Sequence, residues 1–565
     1  MRESATVDGE AGREVAGRVQ HCQVQPMQAI LDRAVRSFGD KPAFRFLGRV
    51  TSYSDFNARI EEAARVLRKL GAGPGVRIGL MLPSSPAVAI YMFGAFATGA
   101  TVVPLDPAAH SQDLIRAVAA SGMSVLVTID LAATLAKALT LARDGGIEAV
   151  AVVSFASMLP MAAAARMRLF SSDKLGRPPL EFACPVHFER DLLREKTAET
   201  VVTPGAAATP RPALLDDIAI IWCSLAGGVN RTALLTQANI ASNLVQICEA
   251  MPALKPGQER IVAALPLWHP LAFALAVNVA VAAGAELAIV PEMTGKALAE
   301  TVRGTTPTIL MAPAPLISEM AADPGSGSLP FGSLQFGVVA GDGAVAGLPT
   351  AIAAITPAPL LYAYGLSMAS AVIGITRADD AGLAANTRAL SGTRVTVRDF
   401  ADLSREVPRG ERGELSVSGP QVALAHQVSP SAGAFIGPDL RTGDLGLIDA
   451  DGRLFVVDRV EDLIVAAGYL IYPRRIEAAL LEHPGVLDAA VIGVSDGKRG
   501  NAPKAFVIVK RGVGMTERDL RLFLASRISK IEMPADIDFC TVLPRTAFGL
   551  ICKPSLREAE AARQG

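Results

Sequence analysis

The residue types able to do chemistry are scattered along this chain of 565 residues. Cys22, Cys184, Cys223, Cys248, Cys540 and Cys552 lie far apart and form no Cys-x-x-Cys pair, so they supply neither a zinc ligand set nor a dithiol redox motif. No Cys/His cluster with metal-ligand spacing and no Ser-His-Asp arrangement is visible, and the cysteine pattern fits a reducing cytoplasm. Two local groupings stand out. Asp444 and Arg459 flank the turn signal Asp451-Gly452 and can pair across a hairpin. Trp268 and His269 interrupt an apolar stretch, where Trp268 can be core and His269 a hydrogen-bonded buried histidine.

Dispersed groups act together only if a fold collects them. From Ser54 the apolar positions Ile60, Ala64, Leu67 and Leu70 recur at helical spacing, and Gly71 stands where a left-handed cap would end the helix. Val76 to Leu82 then reads as strand, Pro86 to Thr98 as a helix closed by Gly99, and Thr101 to Leu105 as strand again. Further strands are expected at Ser124 to Thr128, Ala149 to Val153, Ala285 to Val290 and from Ile309. Such alternation predicts an α/β protein with parallel sheets and helical crossovers. Between Met158 and Asp216 the pattern breaks into Pro, Ala, Thr and charge, which suits a surface insertion or linker. Around Asp451-Gly452 a hairpin is expected, and beyond Arg459 a second grammar begins, with strands at Val486 to Val494 and Ala505 to Val509 and a helix at Thr516 to Ile528. The expected organisation is a disordered lead-in at 1–25, a large domain at 26–458 and a small C-terminal domain at 459–565.

Composition excludes several classes. Lys+Arg at 54 against Asp+Glu at 55 gives a net charge of -1, so no overall basic field favours nucleic acid. Half of the residues are hydrophobic, 19% are charged and mean hydropathy is +0.35, values that suit a large globular enzyme-like chain. The uncharged run from Ile261 to Ala285 is long enough to cross a bilayer core of about 30 Å. It contains Pro266, His269, Pro270, Asn278 and Gly284, however, and reads as buried helix and strand, with no transmembrane span. The polar, acid-containing N-terminus lacks the marks of a secretory or transit signal, and the expected location is cytoplasmic.

Several blocks, taken in order, resemble the adenylate-forming (AMP-binding) acyl-CoA synthetases, from about Gln28 to Glu558. The specific ones are Arg441-Thr-Gly-Asp-Leu-Gly, Val457-Asp-Arg, Gly468-Tyr-Leu-Ile-Tyr-Pro and Leu543-Pro-Arg-Thr-Ala-Phe-Gly, supported by Leu265-Pro-Leu-Trp-His, Tyr364-Gly-Leu-Ser and Gly413-Glu-Leu-Ser-Val-Ser-Gly-Pro. The resemblance implies a multi-subdomain α/β N-terminal domain and a small α+β C-terminal domain that rotates between an adenylation and a thiolation pose. It implies ATP-dependent joining of a fatty or other apolar carboxylic acid to CoA or phosphopantetheine through an acyl-adenylate. It also implies roles for particular residues. Ser224, Gly228 and Arg231 would face phosphate, with Arg231 catalytic; Tyr364, Gly365 and Ser367 would meet the adenine and phosphate; Asp444 and Arg459 would hold the ribose. Trp268, His269 and Gly341 would border the acyl pocket, with Ala272, Ala274 and Ala276 leaving room for a chain, and Glu461 would sit at the hinge.

The chain departs from the family pattern where charge is handled. Arg231 replaces a lysine, Leu225 and Ala226 add bulk and remove a donor in the phosphate loop, and Phe548 replaces a small hydroxyl residue. Met368 replaces the Mg²⁺-binding glutamate, a thioether where a hard cation needs oxygen, so Mg²⁺ binding is doubtful and apolar packing is the plainer reading. Leu550 replaces the lysine that stabilises adenylate formation, and Lys553, three positions on, reads as a surface lysine. The expectation is a synthetase-like protein with weak or lost adenylation. Two alternatives stay open: a non-catalytic binding partner or scaffold for a related synthetase, and a thiolation-only acyl transferase to CoA or acyl carrier protein. Chain length of the acid, and CoA against carrier protein as thiol, are not legible.

Overall fold

A computed structural model describes residues 23–564 apart from 171–173, 177–181, 195–210, 225–230, 253, 324, 342–347, 381–385, 424–433, 467–468, 498 and 547–548. Most of the expected lead-in therefore lies outside the described residues.

Two largely parallel sheets form the N-terminal part. The seven-stranded one runs in space Val186–Phe188, Ala149–Val153, Val125–Ile129, Arg77–Leu80, Thr101–Pro104, Ile218–Ser224 and Arg231–Thr236, and only its last pair is antiparallel. The nine-stranded one runs Arg388–Ala389, Gly374–Ile375, Leu360–Tyr364, Phe336–Ala340, Ile309–Ala312, Arg260–Ala263, Glu286–Ile289, Pro42–Phe46 and Arg49–Ser52, parallel from Leu360–Tyr364 through Pro42–Phe46. Helices fill the crossovers, as the alternation predicts. Helix Tyr53–Lys69 begins on the Ser52 side chain, which accepts from the Asp55 N–H, and stops before Gly71 at φ +81°. Helix Pro86–Phe96 is buried at every position, as befits a helix apolar all round.

One continuous core joins both sheets, containing Ile78 and Val102 from one and Ile261 and Val338 from the other. Its rings meet edge to face, with Phe44 on Phe56 at 4.7 Å and Phe56 on Phe93 at 6.1 Å between centroids. The run Ile261 to Ala285 divides, as expected, into strand Arg260–Ala263 and a buried helical stretch whose middle, Phe273–Asn278, is π-wound. Among the described residues no helix is long and apolar enough to cross a membrane.

A third sheet carries Arg394–Arg398, Gly413–Ser418, Asp439–Ile448, Phe435–Ile436 and Leu454–Arg459. The last strand pairs back on Asp439–Ile448 through a turn with Gly452 at φ +79°, the hairpin read from Asp451-Gly452. The smaller C-terminal part is α+β: strands Val486–Asp496, Gly500–Val509 and Asp536–Phe539 form one sheet, flanked by helices Pro473–Leu481, Glu517–Leu524 and Lys553–Gln564. Its apolar side chains form cores of their own around Ile476, Val491 and Leu520 and around Ile492 and Leu556.

The expected insertion between Met158 and Asp216 needs correction in part. It contains helix Met161–Phe170 and strand Val186–Phe188, which extends the seven-stranded sheet by pairing with Ala149–Val153. A three-residue strand is too short to show a period-two pattern, so sheet pairing alone reveals it.

Candidate active site

The blocks that hold Tyr364, Asp444 and Arg459 converge where the third sheet meets the end of the nine-stranded sheet. Tyr364 ends strand Leu360–Tyr364, and its hydroxyl donates to Asp444 Oδ2 at 2.8 Å. Burial first, and the Asp444 charge second, raise the phenol's pKa well above its ordinary 10, so it stays a donor. Asp444 is cross-strand neighbour to Arg459, whose Nε lies 3.6 Å from Asp444 Oδ1 and 3.4 Å from Glu461 Oε1. The predicted hairpin pair is therefore present. It leaves a buried carboxylate facing a half-exposed guanidinium, a pairing suited to holding vicinal hydroxyls.

Thr442, inside the block Arg441-Thr-Gly-Asp, was given no role from sequence. Its Oγ1 accepts the Asp444 N–H at 3.0 Å and donates to the Leu415 carbonyl at 2.9 Å, fixing the strand that presents Asp444. Arg441 itself is engaged with Glu414 at 3.0 and 2.6 Å. Asp458 was also missed. Fully buried, it accepts from the backbone N–H of Arg459 at 2.9 Å and of Arg474 at 3.2 Å, so it joins the last strand of the third sheet to the first turn of helix Pro473–Leu481. Its place inside Val457-Asp-Arg is the signal that the sequence carries.

Gly365 needs to be glycine, because a Cβ there would lie 1.5 Å from the Ala371 carbonyl oxygen. This close approach turns the chain so that Ser367 faces a cavity while Met368, 8% exposed, turns into the main core. The thioether thus has the apolar packing expected of it. A thioether is a poor ligand for a hard cation, so the donor chemistry at this position does not fit Mg²⁺.

The cavity holds about 850 Å³ and lies between the segment Pro104 to Ala117, Trp222, Cys223, the Trp268-His269-Pro270 turn, Ser367 and the C-terminal residues Arg545, Thr546 and Cys552. The chain's two tryptophans both line it; Trp222 was not foreseen, although its place directly before Cys223-Ser224 was a signal. His269 opens the helical run at Pro270, its Nδ1 accepting the Leu271 N–H at 3.2 Å. Desolvation lowers this imidazole from its ordinary 6.5 to about 3, so it is neutral. Ala272, Ala274 and Ala276 pack in the main core and do not line this cavity.

Arg545 and Thr546 bring the C-terminal part to the same cavity. Leu550 packs against the main core, and a Cβ on Gly341, at φ +100° just past strand Phe336–Ala340, would come within 3.5 Å of its Cδ1. An apolar tip therefore sits at the end of the parallel strands, the edge where α/β sheets bind ligands. Lys553 is not the surface lysine expected. Its side chain is 11% exposed and lies 2.9 Å from Glu477 Oε1 and 3.9 Å from Asp462 Oδ2, because helix Lys553–Gln564 turns its first residue inward onto the C-terminal part's own acids. Gly228 lies outside the described residues, as do the side chains of Ser224 and Arg231; their strands are the antiparallel pair that ends the seven-stranded sheet.

Comparison with known proteins bears on this arrangement. A family model described as AMP-binding enzyme matches residues 31–425, and one described as AMP-binding enzyme C-terminal domain matches 475–550. The chain belongs to the AMP-binding enzyme family. A long-chain-fatty-acid–CoA ligase of Bacillus subtilis (strain 168) is 27% identical over 545 residues, covering 94% of each chain. A feruloyl-CoA synthase of an Amycolatopsis species is also 27% identical, covering 93% of this chain and 97% of that one. The crystal structure of the anthranilate CoA ligase AuaEII in complex with anthranoyl-AMP has the same fold, at a TM-score of 0.79 and 20% identity, with 95% of this chain and 98% of that chain covered. The resemblance read from the motifs is thus correct as to family and fold, and the family's chemistry is that of acid–CoA ligation through an acyl-adenylate.

Proposed function

We propose that this AMP-binding protein keeps the nucleotide and acyl cleft of an acid–CoA ligase and forms the adenylate slowly or not at all. The observation that carries the reading is Leu550, an apolar side chain packed against the main core beside Gly341, at the position where the family pattern has a cation for adenylation. Charge moves from carboxylate to leaving pyrophosphate in that step, and a leucine cannot stabilise it. Met368 in the core adds to this, since it offers no oxygen for a metal. Relatives named for a long-chain fatty acid and for a feruloyl group support a fatty or other apolar carboxylic acid as ligand, with CoA or a carrier-bound phosphopantetheine as thiol.

In this reading Asp444 accepts from the ribose hydroxyls, Tyr364 holds that carboxylate in place while its ring borders the adenine, and Arg459 reaches the ribose from the domain junction. Ser367, with Ser224, Gly228 and Arg231, is assigned to the phosphates, and Arg231 is the cation assigned to the reacting groups. Trp268, His269 and Gly341 border the acyl group. Neutral His269 adds no charge to an apolar wall. Glu461 marks the hinge, with the domain boundary near Arg459. ATP or AMP is the nucleotide these residues suit.

The test is acid-dependent pyrophosphate release and product mass for the full chain with ATP, Mg²⁺, CoA and short to long carboxylic acids, alongside Leu550→Lys. The native chain should be silent or slow, and Leu550→Lys should raise the rate about 30- to 1000-fold, the equivalent of about 2 to 4 kcal/mol in the barrier. AMP and acyl-CoA should still raise the melting temperature of the native chain. Brisk pyrophosphate release by the native chain, unchanged by Leu550→Lys, would sink the reading. Acyl-CoA formed only from supplied acyl-adenylate would assign the chain to thiolation alone.

A further inference from the structure

Two adjoining surface elements turn apolar side chains outward. Helix Met161–Phe170 reads Met-Ala-Ala-Ala-Ala-Arg-Met-Arg-Leu-Phe and contains no acid. At 3.6 residues per turn, Ala163, Ala164 and Met167 fall on its less exposed side, and Met161, Ala162, Ala165 and Leu169 share the solvent side. Met161 is 91% and Leu169 74% exposed, the reverse of an ordinary surface helix, which turns charge outward. Exposed Arg166 borders this stripe.

Beside the start of the helix lies the tip of the hairpin formed by Pro42–Phe46 and Arg49–Ser52. Leu47 and Val50 are each 44% exposed there, and a Cβ on Gly48 would lie 3.8 Å from Pro160 Cγ. Exposed Arg49 donates to the Ser157 carbonyl in the turn that leads into the helix. The hairpin from Pro42 to Ser52 contains no acid either. Four exposed apolar side chains thus lie on two adjoining elements that contribute arginines and no carboxylate.

We propose that this face lies on an anionic lipid surface, with Leu47, Val50, Met161 and Leu169 entering the boundary between headgroups and acyl chains and Arg49 and Arg166 meeting lipid phosphates. Apolar burial plus attraction to negative headgroups is what holds such helices to membranes without crossing them. A second copy of the chain fits worse, because a twofold contact through this face would set its arginines against each other. The inference stands independently of the catalytic reading.

Sedimentation of the full chain with vesicles tests it, using phosphatidylcholine alone and phosphatidylcholine with phosphatidylglycerol. Capture should be at least about fivefold greater on the anionic vesicles and should fall as NaCl is raised toward about 0.5 M. The double variant Met161→Glu/Leu169→Glu, altered only at exposed positions, should keep the native melting temperature and lose that capture; Arg166→Glu should weaken it. No capture of the native chain, or equal capture of native and double variant, overturns the proposal. So does a concentration-dependent dimer, seen by analytical ultracentrifugation, that the double variant abolishes, since the face would then join two copies.

Discussion

Tyr364 keeps a buried carboxylate supplied with a donor, and removing its hydroxyl tests how much that matters. Tyr364→Phe leaves the ring but takes the 2.8 Å hydrogen bond from Asp444. A loss of about 1.5 to 3 kcal/mol in urea unfolding is expected for a bond to a charged group, together with a smaller AMP-induced rise in melting temperature. An unchanged midpoint would mean that Asp444 has enough partners without it. His269 gives a pH signature. Its pKa falls from 6.5 unfolded to about 3 folded, so between those values the unfolded chain binds more protons, and stability is lost as pH falls from about 6.5 toward 3. Asparagine also caps helices and cannot charge. His269→Asn should therefore match the native chain at pH 7.5 and exceed it increasingly below pH 6.5 in urea midpoint; parallel curves would refute the imidazole's part.

Among elements, the turn after strand Leu360–Tyr364 shows how a single missing Cβ sets a site. Gly365→Ala would drive a methyl into the Ala371 carbonyl, so the turn must open. Loss of at least about 3 kcal/mol is expected by analogy with other overpacked sites, along with misplacement of Ser367 and weaker nucleotide binding. A chain of native stability and native AMP response would show that the turn has room to spare. In the same element Met368→Glu is costly, since it buries a carboxylate where the native chain packs a thioether. Leu550, half-buried beside Gly341, is the position to change first.

For the molecule as a whole, the C-terminal part depends on charges buried within it. Lys553 sits 2.9 Å from Glu477, and burial raises the pKa of Glu477 while Lys553 lowers it in opposition. Lys553→Met removes the opposing charge. A carboxylate whose folded pKa is raised costs stability once pH exceeds its unfolded value, so the variant should be about 3 to 5 kcal/mol less stable near pH 7 and much less affected near pH 4. Adding Glu477→Gln should recover most of the loss in urea unfolding followed at both pH values. A pH-independent loss would point to packing instead. Two-domain organisation with a boundary near Arg459 remains our proposal, and the separate cores around Ile476 and Ile492 support it.

Much of this was legible locally. The period of Ile60, Ala64 and Leu67 gave a helix, Asp451-Gly452 gave a hairpin, and the ordered motif blocks gave the family, because each rests on neighbours in sequence. Residue type also determined that position 550 carries no charge and position 368 no hard oxygen, whatever the fold. What tertiary structure decided were the long-range partners. It turned Lys553 inward onto Glu477, gave Asp458 its hold on helix Pro473–Leu481, assigned Val186–Phe188 to a sheet edge, brought Trp222 and Trp268 to one cavity and set the Leu47 hairpin beside the Met161 helix. Burial and electrostatics depend on distance in space, and no spacing along a chain encodes which side of a helix its neighbours will cover.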